Sequence, residues 1–240
     1  MKEFHVLAAA LLLLLISLIV SGTGNAVSVS EDSTFDIYEE SERLVALTFD
    51  DGPKAGMTEK LLDVLKEKGV KATFFMIGSQ AEECPELVKR VAAEGHQIGI
   101  HTYSHVDLSC LTQEEQKEEI EKSIAAIESA IGTTELKLRP PFGKISGSLE
   151  AWLDMPLILW SLDTVDWKGT DAAQIIRETV RDVRDGDIIL MHDISEHGAE
   201  AAAGMIDELQ RMGYTFLTVD QLFACRGIEL EDGEAYRRAR

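Results

Sequence analysis

Asp50 and Asp51 stand side by side in the segment Thr48-Phe49-Asp50-Asp51-Gly52-Pro53, where Gly-Pro then bends the chain. Neighbouring side chains diverge, so one aspartate can hold a cation while the other, beside that charge, stays ionised and accepts a proton. An Asx turn that only satisfies backbone N–H groups is the competing reading. His101-Thr102-Tyr103-Ser104-His105 carries two imidazoles four residues apart. A helical turn there would bring both rings to one side, at a separation suited to sharing one metal. With Asp51 they offer two nitrogens and one carboxylate oxygen. That is the open ligand pattern of catalytic zinc rather than the closed pattern of a structural site. A histidine pair alone is more often ordinary core or surface; the aspartate pair reverses that reading.

Three further segments add chemistry. Arg139-Pro140-Pro141-Phe142-Gly143 sets a permanent cation before a rigid turn, where Arg139 orients a carboxylate or merely holds a loop. The Phe142 N–H, next to a proline that lacks one, is a candidate donor to an oxyanion. Between Trp160 and Trp167 lie Asp163 and Asp166; Trp167 walls a small apolar pocket or packs in the core. The apolar run Ile188 to Met191 delivers His192 and Asp193 at its end, and a histidine there suits a proton donor. His96 and His197 lack such company and read as structural or surface residues.

These side chains need a scaffold, and the hydrophobic pattern supplies one. Runs rich in β-formers at Leu44 to Phe49, Ala72 to Ile77, Gln97 to His101, Leu136 to Arg139, Pro156 to Leu162, Asp187 to His192 and Thr215 to Val219 predict seven strands. Between them, helical periodicity covers Thr58 to Lys68, Pro85 to Glu94, Thr112 to Ile131, Ala172 to Val183 and Ala199 to Met212. Several of these helices stop at a glycine, and Thr112 with Glu115 predicts a capping box on a long acidic helix whose charged face reads as solvated. Strand-helix alternation predicts an α/β fold with parallel strands, closed as a barrel or left as an open sheet. Asp50, Asp51, His101, Arg139, Asp163, Asp166 and His192 all fall at or just beyond strand C-termini, where such barrels place their chemistry.

With 240 residues and 45% hydrophobic content, the chain can bury one full core and reads as a single domain. A formal charge of −20 excludes nucleic acid as a partner, since that partner rewards clustered cations. Cys84, Cys110 and Cys225 form neither a CxxC pair nor a disulfide framework and read as idle thiols. The apolar run Val6 to Val20, followed by small residues up to Ala26, predicts an export segment over 1–26, a cleaved signal peptide or a membrane anchor. Residues 27–43 read as a linker, 44–225 as the catalytic domain and 226–240 as a charged C-terminal tail.

Taken in order, Thr-Phe-Asp-Asp-Gly-Pro, His-Thr-x-x-His, Arg-Pro-Pro-Phe-Gly, Asp-x-x-Asp-Trp and Leu-x-His resemble the polysaccharide deacetylase family, carbohydrate esterase family 4, over roughly Leu44 to Leu222. Each element is weak; the full set is highly specific. The resemblance implies a distorted (β/α) barrel of about seven parallel strands. It implies Asp51, His101 and His105 as ligands of one divalent metal, Zn²⁺ first, with Co²⁺, Ni²⁺ or Mn²⁺ suited to the same donors. It makes Asp50 the general base, His192 the general acid, Arg139 the group that orients Asp50, and Asp166 the group that tunes His192. Trp167 and Leu190 would line the acetyl-methyl pocket beside the Phe142 N–H. The implied activity is removal of N-acetyl groups from an amino-sugar polysaccharide of peptidoglycan or chitin type by an exported hydrolase. The alternatives are an O-deacetylase of acetylated xylan and a non-catalytic carbohydrate-binding protein. Two positions depart from the family pattern: many relatives carry Tyr at Phe142 and Asn at Ile100. The latter bears on the hydrogen bonding behind the metal ligands.

Overall fold

The computed structural model describes residues 43–240. The export segment and nearly all of the linker expected at 27–43 lie outside the described residues. Strand β1 (Arg43–Asp50) is buried at every position after Arg43, as a strand flanked on both edges and covered on both faces must be. Beside it run β2 (Thr73–Met76), β3 (Gln97–Ile100), β6 (Asp187–His192) and β7 (Tyr214–Leu217), with the short β5 (Leu162–Asp163) outside β6. The sheet order is β3-β2-β1-β6-β5, with β7 paired to β1. Every one of these pairings is parallel.

One edge of β1 is shared in sequence, β7 taking Arg43 to Ala46 and β2 taking Thr48 to Asp50. Beyond β3 the predicted strand Leu136 to Arg139 shrinks to Leu138, which bridges in parallel to Ile100 and to Leu157 of β4 (Leu157–Ile158). The predicted strand Pro156 to Leu162 is likewise split into β4 and β5. Because β4 starts beside Leu138 and β5 ends beside β6, the parallel pairing returns to β1 as an irregular ring. This is the distorted barrel the resemblance implies, with short strands where Pro140 and Pro141 remove ladder donors.

Helices α1 (Thr58–Lys68), α2 (Gly78–Glu83), α3 (Pro85–Ala93), α4 (Gln113–Ile131), α5 (Gly147–Glu150), α6 (Ala172–Asp182), α7 (Gly198–Arg211) and α8 (Val219–Cys225) surround the sheet. α7 packs against α1 and α6, and α4 against α2 and α3. The capping box on α4 is present, with Thr112 and Glu115 exchanging bonds. Gly69 ends α1 in the left-handed region, where its N–H closes on Leu65 and Lys66 carbonyls. Residues 226–240 do not trail from the domain. Ala235–Tyr236 forms β8 on β4, and Ala239 is fully buried with its N–H on the Gly186 carbonyl. The three cysteines are unpaired thiols. Among the described residues no helix is long and apolar enough to cross a membrane.

Candidate active site

The C-terminal ends of the strands carry the polar residues that the spacing singles out. Arg139, which follows the bridge residue Leu138, is completely buried, and each of its nitrogens is used. Nη1 donates to Asp50 Oδ1 and to Thr48 Oγ1, both at 2.7 Å, Nε to the Ile158 carbonyl at 3.0 Å, and Nη2 to the Leu159 carbonyl at 2.9 Å. Its guanidinium stacks 4.1 Å from the centre of the Phe75 ring. The plane of Asp50 is therefore fixed from behind. Burial pushes the Asp50 carboxyl above the ordinary range, partly offset by the charges of Arg139 and His192.

Asp51 begins the turn after β1 with a positive φ of 78°. His101 and His105 come next to it, their ring centres 5.0 Å apart. The helical turn expected there is absent. The chain at 101–105 is a loop in which Thr102 and His105 both adopt left-handed φ, 62° and 57°, and this turns the two rings to one side. His101 Nδ1 lies 2.6 Å from the Arg139 carbonyl, so it carries the proton and leaves the Nε2 lone pair free. Burial lowers the His101 pKa to about 3, keeping the ring neutral. Its Nε2 is 3.5 Å from Asp51 Oδ1, and His105 Nε2 is 3.2 Å from the same oxygen. Asp51 Oδ1 is itself buried without a hydrogen bond among the described residues. The three donor atoms lie within 4.8 Å of one another. An orphaned carboxylate oxygen beside the Nε2 atoms of two imidazoles suits a divalent cation.

Across the cavity, His192 ends β6. Its Nδ1 is 2.8 Å from Asp166 Oδ1, and its backbone N–H donates to Asp166 Oδ2 at 2.9 Å. Burial works against the imidazolium, but the Asp166 hydrogen bond and the charges of Asp166, Asp50 and Asp51 outweigh it and push the pKa up to about 9. Asp166 follows Val165, another left-handed residue. Together these groups line a cavity of about 430 Å³ with Phe142, Trp160, Asp163, Trp167 and Leu190. Phe142 and Trp167, 60% and 57% exposed, stand at its mouth although large apolar side chains are normally covered. Phe142 has φ 62°, and its N–H has no acceptor among the described residues.

All ten residues singled out by the spacing and the resemblance thus meet at one end of the fold. His96 is buried, accepts the Ala72 N–H on Nδ1 and lies edge-on to Phe74, a structural role. His197 is not remote: it lines a second lobe of about 330 Å³ that shares Asp51, Trp167 and His192 with the first. Trp160, as a wall of the main cavity, and Glu119, described below, carry no local sign of their roles.

Comparison with known proteins places this arrangement. The sequence profile described as polysaccharide deacetylase matches residues 38–154. A peptidoglycan-N-acetylglucosamine deacetylase of Bacillus cereus is 38% identical over 78% of this chain and 70% of its own length. The similarly named PgdA of Listeria monocytogenes is 37% identical over 82% of this chain, which spans only 41% of that protein. A family 4 acetyl xylan esterase from Clostridium thermocellum, solved with a cobalt ion, superposes with a TM-score of 0.78 at 33% identity, covering 82% of this chain and 98% of the esterase. These matched proteins are carbohydrate-directed hydrolases by name. The chain belongs to the polysaccharide deacetylase family.

Proposed function

We propose that this chain is a metal-dependent deacetylase that hydrolyses the N-acetyl groups of an amino-sugar polysaccharide, with peptidoglycan as the first substrate class. The observation that carries this is the convergence of a three-donor metal cluster, the Arg139-held Asp50 and the Asp166-held His192 on one cavity of about 430 Å³. Asp51, His101 and His105 would hold the cation, Zn²⁺ by the donor set, although Co²⁺ is the ion in the solved esterase. A cation held there would polarise the acetyl carbonyl and lower the pKa of water, so that the water loses a proton readily as it attacks.

The remaining work falls to the chain's own groups. Asp50, desolvated and locked by Arg139, takes the proton of the attacking water; its raised pKa strengthens it as a base. His192, kept protonated by Asp166, gives its proton to the leaving amine. The Phe142 N–H is the protein's donor to the developing oxyanion. Trp167 and Leu190 enclose the acetyl methyl group. A substrate in the cell wall implies action outside the membrane, consistent with the apolar N-terminal run. The solved acetyl xylan esterase supports a second reading, O-deacetylation of xylan, because ester and amide cleavage draw on the same groups.

Acetate release from peptidoglycan, chitin oligomers and acetylated xylan, with chelator and after zinc re-addition, decides between them. Chelator-sensitive release from an amino-sugar polymer is expected. Release from xylan alone would transfer the protein to the esterase reading, and release indifferent to chelator would end the metal mechanism.

A further inference from the structure

Helix α4 reads as an acidic solvated rod, with Glu114, Glu115, Glu118, Glu119 and Glu121 in its first turns. Glu119 departs from that pattern. It is half-buried, and its carboxylate faces the loop that carries both histidines. Oε2 accepts the backbone N–H of Tyr103 at 3.0 Å and of Ser104 at 2.9 Å, while Oε1 accepts the Ser104 hydroxyl at 2.7 Å. The opposite side of the same loop is held by α2, whose Gly78 and Ser79 N–H groups donate to the Thr102 and Tyr103 carbonyls at 2.9 and 3.0 Å. Gly78 sits so close to Ser123 of α4 and to Tyr103 that a Cβ there would lie 2.8 Å from both.

The segment between His101 and His105 is thus gripped on its carbonyl side by a helix N-terminus and on its N–H side by one carboxylate. It needs such a grip, because Thr102 and His105 both hold left-handed φ, which costs a non-glycine residue of order 1–3 kcal/mol unless the surroundings impose it. His101 has its own anchor in the Arg139 carbonyl. Among the described residues His105 has no hydrogen bond of that kind; its ring makes a T-shaped contact with Phe142 at 5.1 Å. Its placement depends on the backbone of 102–104.

We infer that Glu119 is a positioning residue for the metal centre: by binding the Tyr103 and Ser104 N–H groups it imposes the backbone that aims His105 at Asp51. The inference rests on the metal reading above, and its test separates the two. Divalent-metal affinity is measured on the full chain by competition of Zn²⁺ with a chromophoric chelator, alongside the visible spectrum of the Co²⁺-loaded protein and the thermal midpoint of the metal-free form. Glu119→Ala is expected to weaken Zn²⁺ binding about 10- to 100-fold, the usual cost of losing a partner that orients a ligand, and to alter the Co²⁺ spectrum. Glu119→Gln, which retains one acceptor oxygen, is expected to fall between Ala and wild type.

Glu118→Gln is the control for charge. Glu118 is the preceding residue on the helix, exposed and, among the described residues, paired only with Lys122. It removes the same unit charge and is expected to leave affinity within twofold of wild type. Should Glu119→Ala fail to fold, Glu119→Gln and Ser104→Ala carry the test. Affinities of the Glu119 variants within twofold of wild type, or an equal loss in Glu118→Gln, would overturn the positioning role. Wild-type protein that binds Zn²⁺ no better than a His101→Ala variant would instead overturn the metal reading itself.

Discussion

Replacing Arg139 by Met should be the most damaging single change behind the site, and its cost should depend on pH. The guanidinium is fully buried, and its partner Asp50 is 3% exposed, so neither solvent nor salt can replace the 2.7 Å ion pair. Breaking a buried pair by removing one member costs about 3–5 kcal/mol, because the other charge stays desolvated. The Ile158 and Leu159 carbonyls lose their donor as well. At about 2–4 °C per kcal/mol for a domain of this size, the thermal midpoint should fall on the order of 6–20 °C. The pH dependence follows from Asp50. Its folded pKa is already raised by burial, and loss of Arg139 removes the largest effect holding it down. A carboxyl with a raised folded pKa imposes no penalty below its unfolded value of about 3.9 and the full penalty above its folded value. The deficit of Arg139→Met should therefore be larger at pH 8 than at pH 5, and Asp50→Asn should remove that difference. Urea unfolding of the four proteins of the Asp50→Asn/Arg139→Met cycle at both pH values measures it. A deficit below about 1 kcal/mol, or one that grows on acidification, would refute this reasoning.

Asp166→Asn should lower the His192 pKa from about 9, because burial is then opposed only by the charges of Asp50 and Asp51; NMR titration of the ring protons reads this directly. In the unmodified protein the stability due to this pair is complete below about pH 6.5 and is lost as pH rises through 9, an increment the variant should lack. Asp51→Ala, His101→Ala and His105→Ala should each abolish chelator-reversible acetate release, with binding of Zn²⁺ measured by calorimetry falling in parallel. Gly52→Ala should destabilise by about 1–3 kcal/mol in chemical denaturation, since its new methyl would collide with the buried Asp193 carboxylate, which Thr58 holds at 2.8 Å. Adding Asp193→Ala should recover part of that loss.

Much of this was legible because strand ends carry both signals at once. β1 and β6 are continuous apolar runs that stop at Asp50 and His192, so pattern and chemistry mark the same boundary. The strand around Leu138 failed to extend because the Pro140-Pro141 pair gives a neighbour no N–H to bond. β8 was hidden since two residues within a charged stretch have no periodicity; only their pairing to β4 makes them a strand. The histidine pair was found for an incomplete reason. Spacing identified the two rings, but left-handed residues rather than a helical turn bring them together, and such φ values are imposed by tertiary contacts. Glu119 was invisible for the same cause: nothing local separates it from four other glutamates, and only the fold turns it toward Tyr103 and Ser104.

The docking of residues 234–239 has a consequence for the order of events during synthesis. Glu234 and Tyr236 carbonyls accept the N–H groups of Leu157 and Leu159, and the Leu159 carbonyl in turn accepts from Arg139, the residue that fixes Asp50. The segment that holds Asp50 is thus not finished until residues 234–236 have been translated. A nascent chain lacking those residues can collapse around β1 and its early partners, yet its Asp50 would lack part of the support behind Arg139. The support behind Asp50 should be completed late, once residues 234–236 have left the ribosome, rather than growing as each strand is added.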